Sequence, residues 1–232
     1  IAGMPLETPE TFAQSFDDAY RLGADRLQLG FLKVLKGSPL RDMAGRYGIV
    51  YSDDAPYEVL QTSTMQYAAL RRLHRVAALL DMLYNNRAAA KTLELLTSRT
   101  APFDVFDGLA AYLEQRGYFE RRQKPAVLMK YLYEYACGLP GADAALLREA
   151  LGYDWFSRQN AECPAEFAPE DDKEHRAFAR QYFEKEAAGA GRRLQRGRIV
   201  YFSCLLGEPA YVLFDYAKKP GSSGFCTVIK LQ

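Results

Sequence analysis

The first forty residues constrain this chain more than any other stretch. They read as the end of a strand, a loop, a helix, a second strand, a Gly-Ser turn and the start of another helix. Thr8 can cap the first helix, Pro9 suits its first position because the missing N–H would be unpaired there anyway, and Glu10 complements the positive helix end. Phe12, Phe16, Ala19, Tyr20 and Leu22 follow helical spacing, and Gly23 can take the left-handed conformation that closes a helix, so the pattern predicts a helix over residues 9–22. Residues 26–35 are too short and too apolar for an independent helix and predict a strand. Ser38 and Pro39 then open a second helix, with Leu40, Met43 and Tyr47 on one face. Strands alternating with helices at this spacing predict a parallel sheet, which needs more than two strands and cover on its faces. The chain is therefore expected to begin in mid-fold. An exposed parallel edge there favours dimerisation, or rearrangement of residues 1–40.

Farther along, residues 52–56 form a turn cluster and residues 57–62 alternate as a short strand. Thr64 is expected to cap a long amphipathic helix ending at Asn85 and Asn86, and the domain boundary is placed near residue 63, dividing 1–63 from 64–232. Helices are expected over residues 87–97, 103–116, 125–137, 144–157 (capped by Asp143, with Trp155 as an anchor) and 173–188, giving a helical bundle. Residues 198–206, 210–216 and 225–230 are β-rich and predict a three-strand antiparallel meander.

With 49% hydrophobic residues over 232 positions the chain can bury a sizeable core, and 30 basic against 29 acidic residues leave a formal charge of +1, which points to neither nucleic acid nor an anionic membrane surface. No apolar run reaches the roughly 18 to 20 residues that span a bilayer. Cys137, Cys163, Cys204 and Cys226 are scattered, with no pair at metal-ligand spacing, a usage that fits a reducing, cytoplasmic compartment.

Ile1-Ala2-Gly3-Met4-Pro5-Leu6-Glu7-Thr8 resembles the Ile-x-Gly-x-Pro-Gly-Glu/Gln-Thr segment late in the barrel of radical S-adenosylmethionine (SAM) enzymes. Residues 29–40, Leu-Gly-Phe-Leu-Lys-Val-Leu-Lys-Gly-Ser-Pro-Leu, resemble the last barrel strand and its turn. Phe16-Asp17-Asp18 and the later Phe214-Asp215-Tyr216 are similar to a cobalamin-binding-domain subgroup, in which the barrel is followed by a largely helical C-terminal domain of unknown function. The fold this implies is α/β and then mainly α: the last βα units of a partial TIM-like barrel, a helical bundle and a short antiparallel meander. The resemblance further implies a parent protein with SAM, a [4Fe–4S] cluster and, in one subgroup, cobalamin, and partners in the N-terminal barrel and cobalamin-binding domains of the same polypeptide. Two departures stand out. Leu6 replaces the usual Gly, and the cluster-binding Cys-x3-Cys-x2-Cys is absent, so this stretch of chain is expected to hold no cofactor and to carry no SAM cleavage of its own.

On that resemblance the cofactor-binding candidates are Gly3, Glu7, Gln28 and Lys33, with Lys36 beside them, at or near strand ends where barrel enzymes place their chemistry. The remaining candidates have ordinary alternatives. His74 and His175 lack a metal-spaced partner, and Arg192, Arg193, Arg196 and Arg198 could grip phosphate or RNA but also suit a solvated surface. Tyr131, Tyr133 and Tyr135 do not share one helical face, and Asp215 could be an inward polar group or a hairpin-end carboxylate. Three readings follow: the C-terminal part of a radical SAM enzyme acting on an unknown substrate, a non-catalytic binding or docking domain, and an RNA-gripping domain of an RNA-modification enzyme.

Overall fold

The computed structural model describes residues 1–190, 197–217 and 226–231, and of residues 186–190 the backbone alone. Its described helices are α1 (Pro9–Arg21), α2 (Pro39–Met43), α3 (Tyr67–Leu79), α4 (Ala90–Thr97), α5 (Pro102–Gln115), α6 (Pro125–Cys137), α7 (Ala144–Arg158) and α8 (Lys173–Ala190). The described strands are β1 (Val50–Tyr51), β2 (Val59–Gln61), β3 (Gly197–Phe202), β4 (Ala210–Asp215) and β5 (Thr227–Leu231). They make two small antiparallel sheets, β1-β2 and the meander β3-β4-β5. Two compact units emerge: residues 1–87 with 96–122, and residues 88–95 with 123–232. A boundary near residue 63 divides the chain by its βα pattern, whereas compactness divides it by packing.

In the first unit, α1 begins where expected, with reciprocal hydrogen bonds between Thr8 and Thr11, and Gly23 follows it at φ 65°. Phe12 and Phe16 on its buried face meet Phe103 and Phe106 of α5 edge-on, at ring separations of 5.7–5.8 Å. Leu70, Leu73, Val76 and Leu79 of α3 and Leu109 and Leu113 of α5 complete this core. Residues 26–35 form no regular strand. Instead, Phe31 makes a parallel bridge to Ala2 and Lys33 an antiparallel bridge to Glu58. Among the described residues no barrel closes, because the far side of this extended segment is taken by residues 57–59 rather than by another parallel strand. Thr64 does not cap α3, whose N-cap is Gln66; its hydroxyl donates to the Glu7 carbonyl at 2.6 Å.

In the second unit, α6 packs on α7, and α8 lies against β3. Asp143 caps α7 as expected, accepting from the Ala145 and Leu146 N–H groups. Trp155 is buried and meets Phe167 edge-on at 5.9 Å, which bears out its anchoring role. The meander forms in the expected order, and Phe202 and Phe214 from it pack against Tyr153 of α7.

Candidate functional site

The βα start supplies the candidate site. Ala2 N–H donates to Gly30 O at 2.8 Å and Leu32 N–H to Ala2 O at 2.9 Å, so the chain enters and re-enters in parallel with α1 as the crossover. Gly3 follows at φ 83°, with Val59 and Leu70 3.4–3.5 Å from where a Cβ would sit. Its N–H donates to Glu7 Oε2 at 3.1 Å, closing residues 3–7 into a tight loop, and Thr64 ties down the same loop through the Glu7 carbonyl. Leu6 sits inside this loop at φ 67°, a conformation that favours glycine. The backbone thus keeps a glycine-type shape although the side chain differs.

Gly3 and Glu7 are brought together; Gln28 and Lys33 lie elsewhere along the extended segment. Gln28 borders a polar cavity of about 650 Å³ with Arg26, Asp81 and Asn85. The wall is a π-helical continuation of α3 (Leu80–Asn85), a rare geometry often found at functional positions. Asn85 grips the Leu27 backbone at both ends, accepting its N–H at 2.9 Å and donating to its carbonyl at 3.0 Å. Tyr84 donates to Ala24 O, and Arg87 pairs with Asp25 at 2.8 Å. Every one of these partners lies far away in sequence, so the clamp had no local signature beyond the Asn85-Asn86 pair.

Lys33 is exposed, and Glu58 lies opposite it across the antiparallel bridge, so both side chains leave on one face. Glu58 meets His74 Nε2 at 2.6 Å, and the His74 ring stacks on Phe31 at 3.6 Å and 8°. His74 therefore has the acidic partner that spacing alone did not reveal. Lys36 lies 5.3 Å from the centre of the Tyr57 ring.

The other candidates are structural or lie outside the description. Arg192, Arg193 and Arg196 are outside the described residues, and Arg198 stacks over Phe156 at 4.7 Å. Tyr131, Tyr133 and Tyr135 are half-buried, and Asp215 is buried with Oδ1 accepting the Ala217 N–H at 2.9 Å. The four cysteines are free, and among the described residues no group of His, Cys, Asp and Glu could hold a metal ion, so these residues do not fit an iron–sulfur cluster. Burial pushes the Cys163 thiol up to about 12 and the Cys226 thiol up to about 11, away from the thiolate form a ligand needs. No described helix is long and apolar enough to cross a membrane.

Three buried carboxylates act on the backbone; sequence reasoning placed Asp17 only within the Phe16-Asp17-Asp18 resemblance and left Glu149 and Asp154 unremarked. Asp17 accepts the Phe103 N–H at 2.7 Å, supplying α5 with the cap that Ala101 cannot. Asp154 accepts from Lys91 N–H, Thr92 N–H and the Thr92 hydroxyl at 2.8–2.9 Å, capping α4; burial outweighs these bonds and pushes its carboxyl up to about 6. Glu149 accepts the backbone N–H groups of Ser203, Cys204 and Leu205 at 2.7–3.0 Å, together with the Ser203 hydroxyl at 2.6 Å. Burial opposes its charge, but these donors together hold it below the usual carboxylate range.

No curated protein matches the chain. Residues 45–196 match a family described as a protein of unknown function, DUF4080. The match covers α3 to α8 and β1-β2, and leaves the Gly3–Glu7 loop and α1 outside it. Since it takes in well over half of the sequence, the chain belongs to the DUF4080 family.

Proposed function

We propose that this chain is the C-terminal part of a radical SAM protein, with or without cobalamin, supplying the end of its barrel and a domain that covers the barrel mouth or docks substrate. The observation that carries the reading is the parallel pairing of Ala2 with Phe31 around α1, continued by a loop in which Leu6 keeps a glycine-type backbone and Glu7 closes on the Gly3 N–H. This is the geometry that the resemblance of residues 1–8 and 29–40 to late barrel segments implies.

The chain's own part in such a protein is positional. Glu7 shapes the strand-end loop, leaving backbone groups of residues 4–6 to face a bound SAM molecule. Asn85 fixes the Leu27 backbone and so the place of Gln28, and Lys33 offers a cation beside the Glu58–His74 pair. SAM would supply the radical or methyl chemistry, and the cluster that reduces it would be bound by cysteines of another segment.

Reading the coding sequence upstream of Ile1 tests this first. An in-frame Cys-x3-Cys-x2-Cys, followed by anaerobic reconstitution of the whole protein and formation of 5′-deoxyadenosine or a methylated product from SAM, supports it. A start codon immediately before Ile1, or a reconstituted whole protein that neither binds nor consumes SAM, refutes it.

A further inference from the structure

The second unit carries a cleft of about 320 Å³ that none of the above uses. That volume is at the lower end of small-molecule sites. Of the planar nitrogen donors that border it, His175 and Arg198 are each held in place by neighbours. His175 Nδ1 pairs with the Tyr211 hydroxyl at 3.0 Å, and its ring stacks on Tyr201 at 4.1 Å and 18°. Tyr211 is itself stacked on Phe178 at 3.7 Å and 12°. The Arg198 guanidinium lies 4.7 Å over the Phe156 ring, and its Nε donates to Asn160 Oδ1 at 3.2 Å. A guanidinium so oriented loses little freedom on meeting a carboxylate, which is why pre-positioned donors raise affinity.

The charges around the cleft are mixed. Arg176 is paired with Asp171 at 3.3 Å. Arg198, Glu162 and Glu170 carry no ion pair among the described residues, although all three line the cleft. His175 Nε2 is 3.8 Å from Asp172, beyond hydrogen-bond reach. A guanidinium and two carboxylates that line one cleft with no ion pair among the described residues would repel a polyanion at the rim while accepting a ligand with one negative and one positive group. The apolar stretch of wall from Ala168, Pro169, Ala179 and Ile199 suits an aliphatic body.

We propose that this cleft binds a small zwitterion of the α-amino-acid class, its carboxylate on Arg198 and His175 and its ammonium on Glu162 and Glu170. The inference is independent of the barrel reading, since no residue of the first unit takes part. Free amino acids, their N-acetyl derivatives and inorganic phosphate are titrated into the intact chain while the His175 ring signals are followed by NMR. At least one amino acid is expected to shift them saturably. Its N-acetyl derivative and the R198Q variant should each bind it at least tenfold more weakly, and phosphate should bind more weakly than the amino acid. R198K, which keeps the charge without the planar fork, should fold and bind severalfold more weakly. The proposal is overturned if no amino acid shifts the His175 signals at about 10 mM. It is equally overturned if phosphate or the N-acetyl derivative binds as tightly, or if R198K binds like the wild type.

Discussion

Replacing Glu149 with Gln separates a carboxylate that organises a turn from one that merely sits beside it. Its two oxygens meet three backbone N–H groups, the Ser203 hydroxyl and, at 3.3 Å, the Cys204 thiol. A Gln amide keeps one accepting oxygen. Its least costly orientation turns the NH2 toward Ser203, whose hydroxyl can rotate to accept, but the Ser203 N–H then faces another donor. The bonds to Cys204 and Leu205 lose their charge assistance, roughly 1 kcal/mol each, and the orphaned N–H adds about 1 kcal/mol after allowing for the partial exposure of the turn. The sum, about 3 kcal/mol, should speed hydrogen exchange of the Ser203, Cys204 and Leu205 amides by roughly a hundredfold at pH 7. Because the folded carboxyl titrates below its ordinary value of 4.5, its contribution is present above that pH and is lost as pH falls through the lower folded value. The difference between wild type and E149Q should therefore shrink in acid. Equal protection of the three amides in both proteins at pH 7, or a difference that does not respond to acid, would refute the reasoning.

Asp154 gives the opposite sign. Its folded carboxyl is raised from 3.8 to about 6, so the linked stability is present below pH 3.8 and lost as pH rises through 6; in urea unfolding the wild type should gain up to about 3 kcal/mol over D154N between pH 7 and pH 4. A difference that stays constant over that range would show that burial does not control this group. G152A should lower stability by about 1–3 kcal/mol despite alanine's better helix propensity, because the added Cβ would fall 2.3 Å from Pro169 Cγ; a rise in melting temperature would refute it. L6G should raise stability by about 0.5 kcal/mol, the relief of a left-handed leucine less the entropy of glycine, while L6V should lower it; the reverse order in urea unfolding would show that φ 67° is not strained. Ile1, Met4 and Leu6 are 72%, 42% and 68% exposed beside the parallel bridge, so light scattering should show association rising with concentration, and a monodisperse monomer would argue against an open edge.

What was legible in the sequence was written locally. Thr8 with Pro9, Asp143 ahead of α7, the Gly23 stop and the β-rich runs of the meander each place their instruction within a few residues of its effect, and each element formed close to where the pattern put it. The misplacements have a common cause. Thr64 resembles a helix cap but bonds the Glu7 carbonyl 57 residues away, and residues 87–97 start their helix only at Ala90, where Asp154, 62 to 63 residues on, accepts the first free N–H groups. At the candidate site, the Gly3–Glu7 closure is local and matches a readable motif, whereas the Asn85 clamp and the Glu58–His74 pair span 58 residues or join separate elements, and nothing in spacing reports them.

The missing local caps nevertheless leave a trace. Ala101 has no side-chain oxygen, so the early N–H groups of α5 need an acceptor from another element unless water reaches them, and Phe103, half-buried in the Phe12–Phe16 cluster, is poorly placed for water. Asp17 stands directly after Phe16 on the buried side of α1, and Asp154 directly before Trp155 on the buried side of α7. A carboxylate beside the apolar stripe of one helix and a helix start without its own cap are complementary defects, since each would cost roughly 1–3 kcal/mol if buried alone. Pairing such defects predicts tertiary contacts that periodicity cannot. It joins α1 to α5 through Asp17 and Phe103, and α7 to α4 through Asp154 and Thr92, each inside one compact unit.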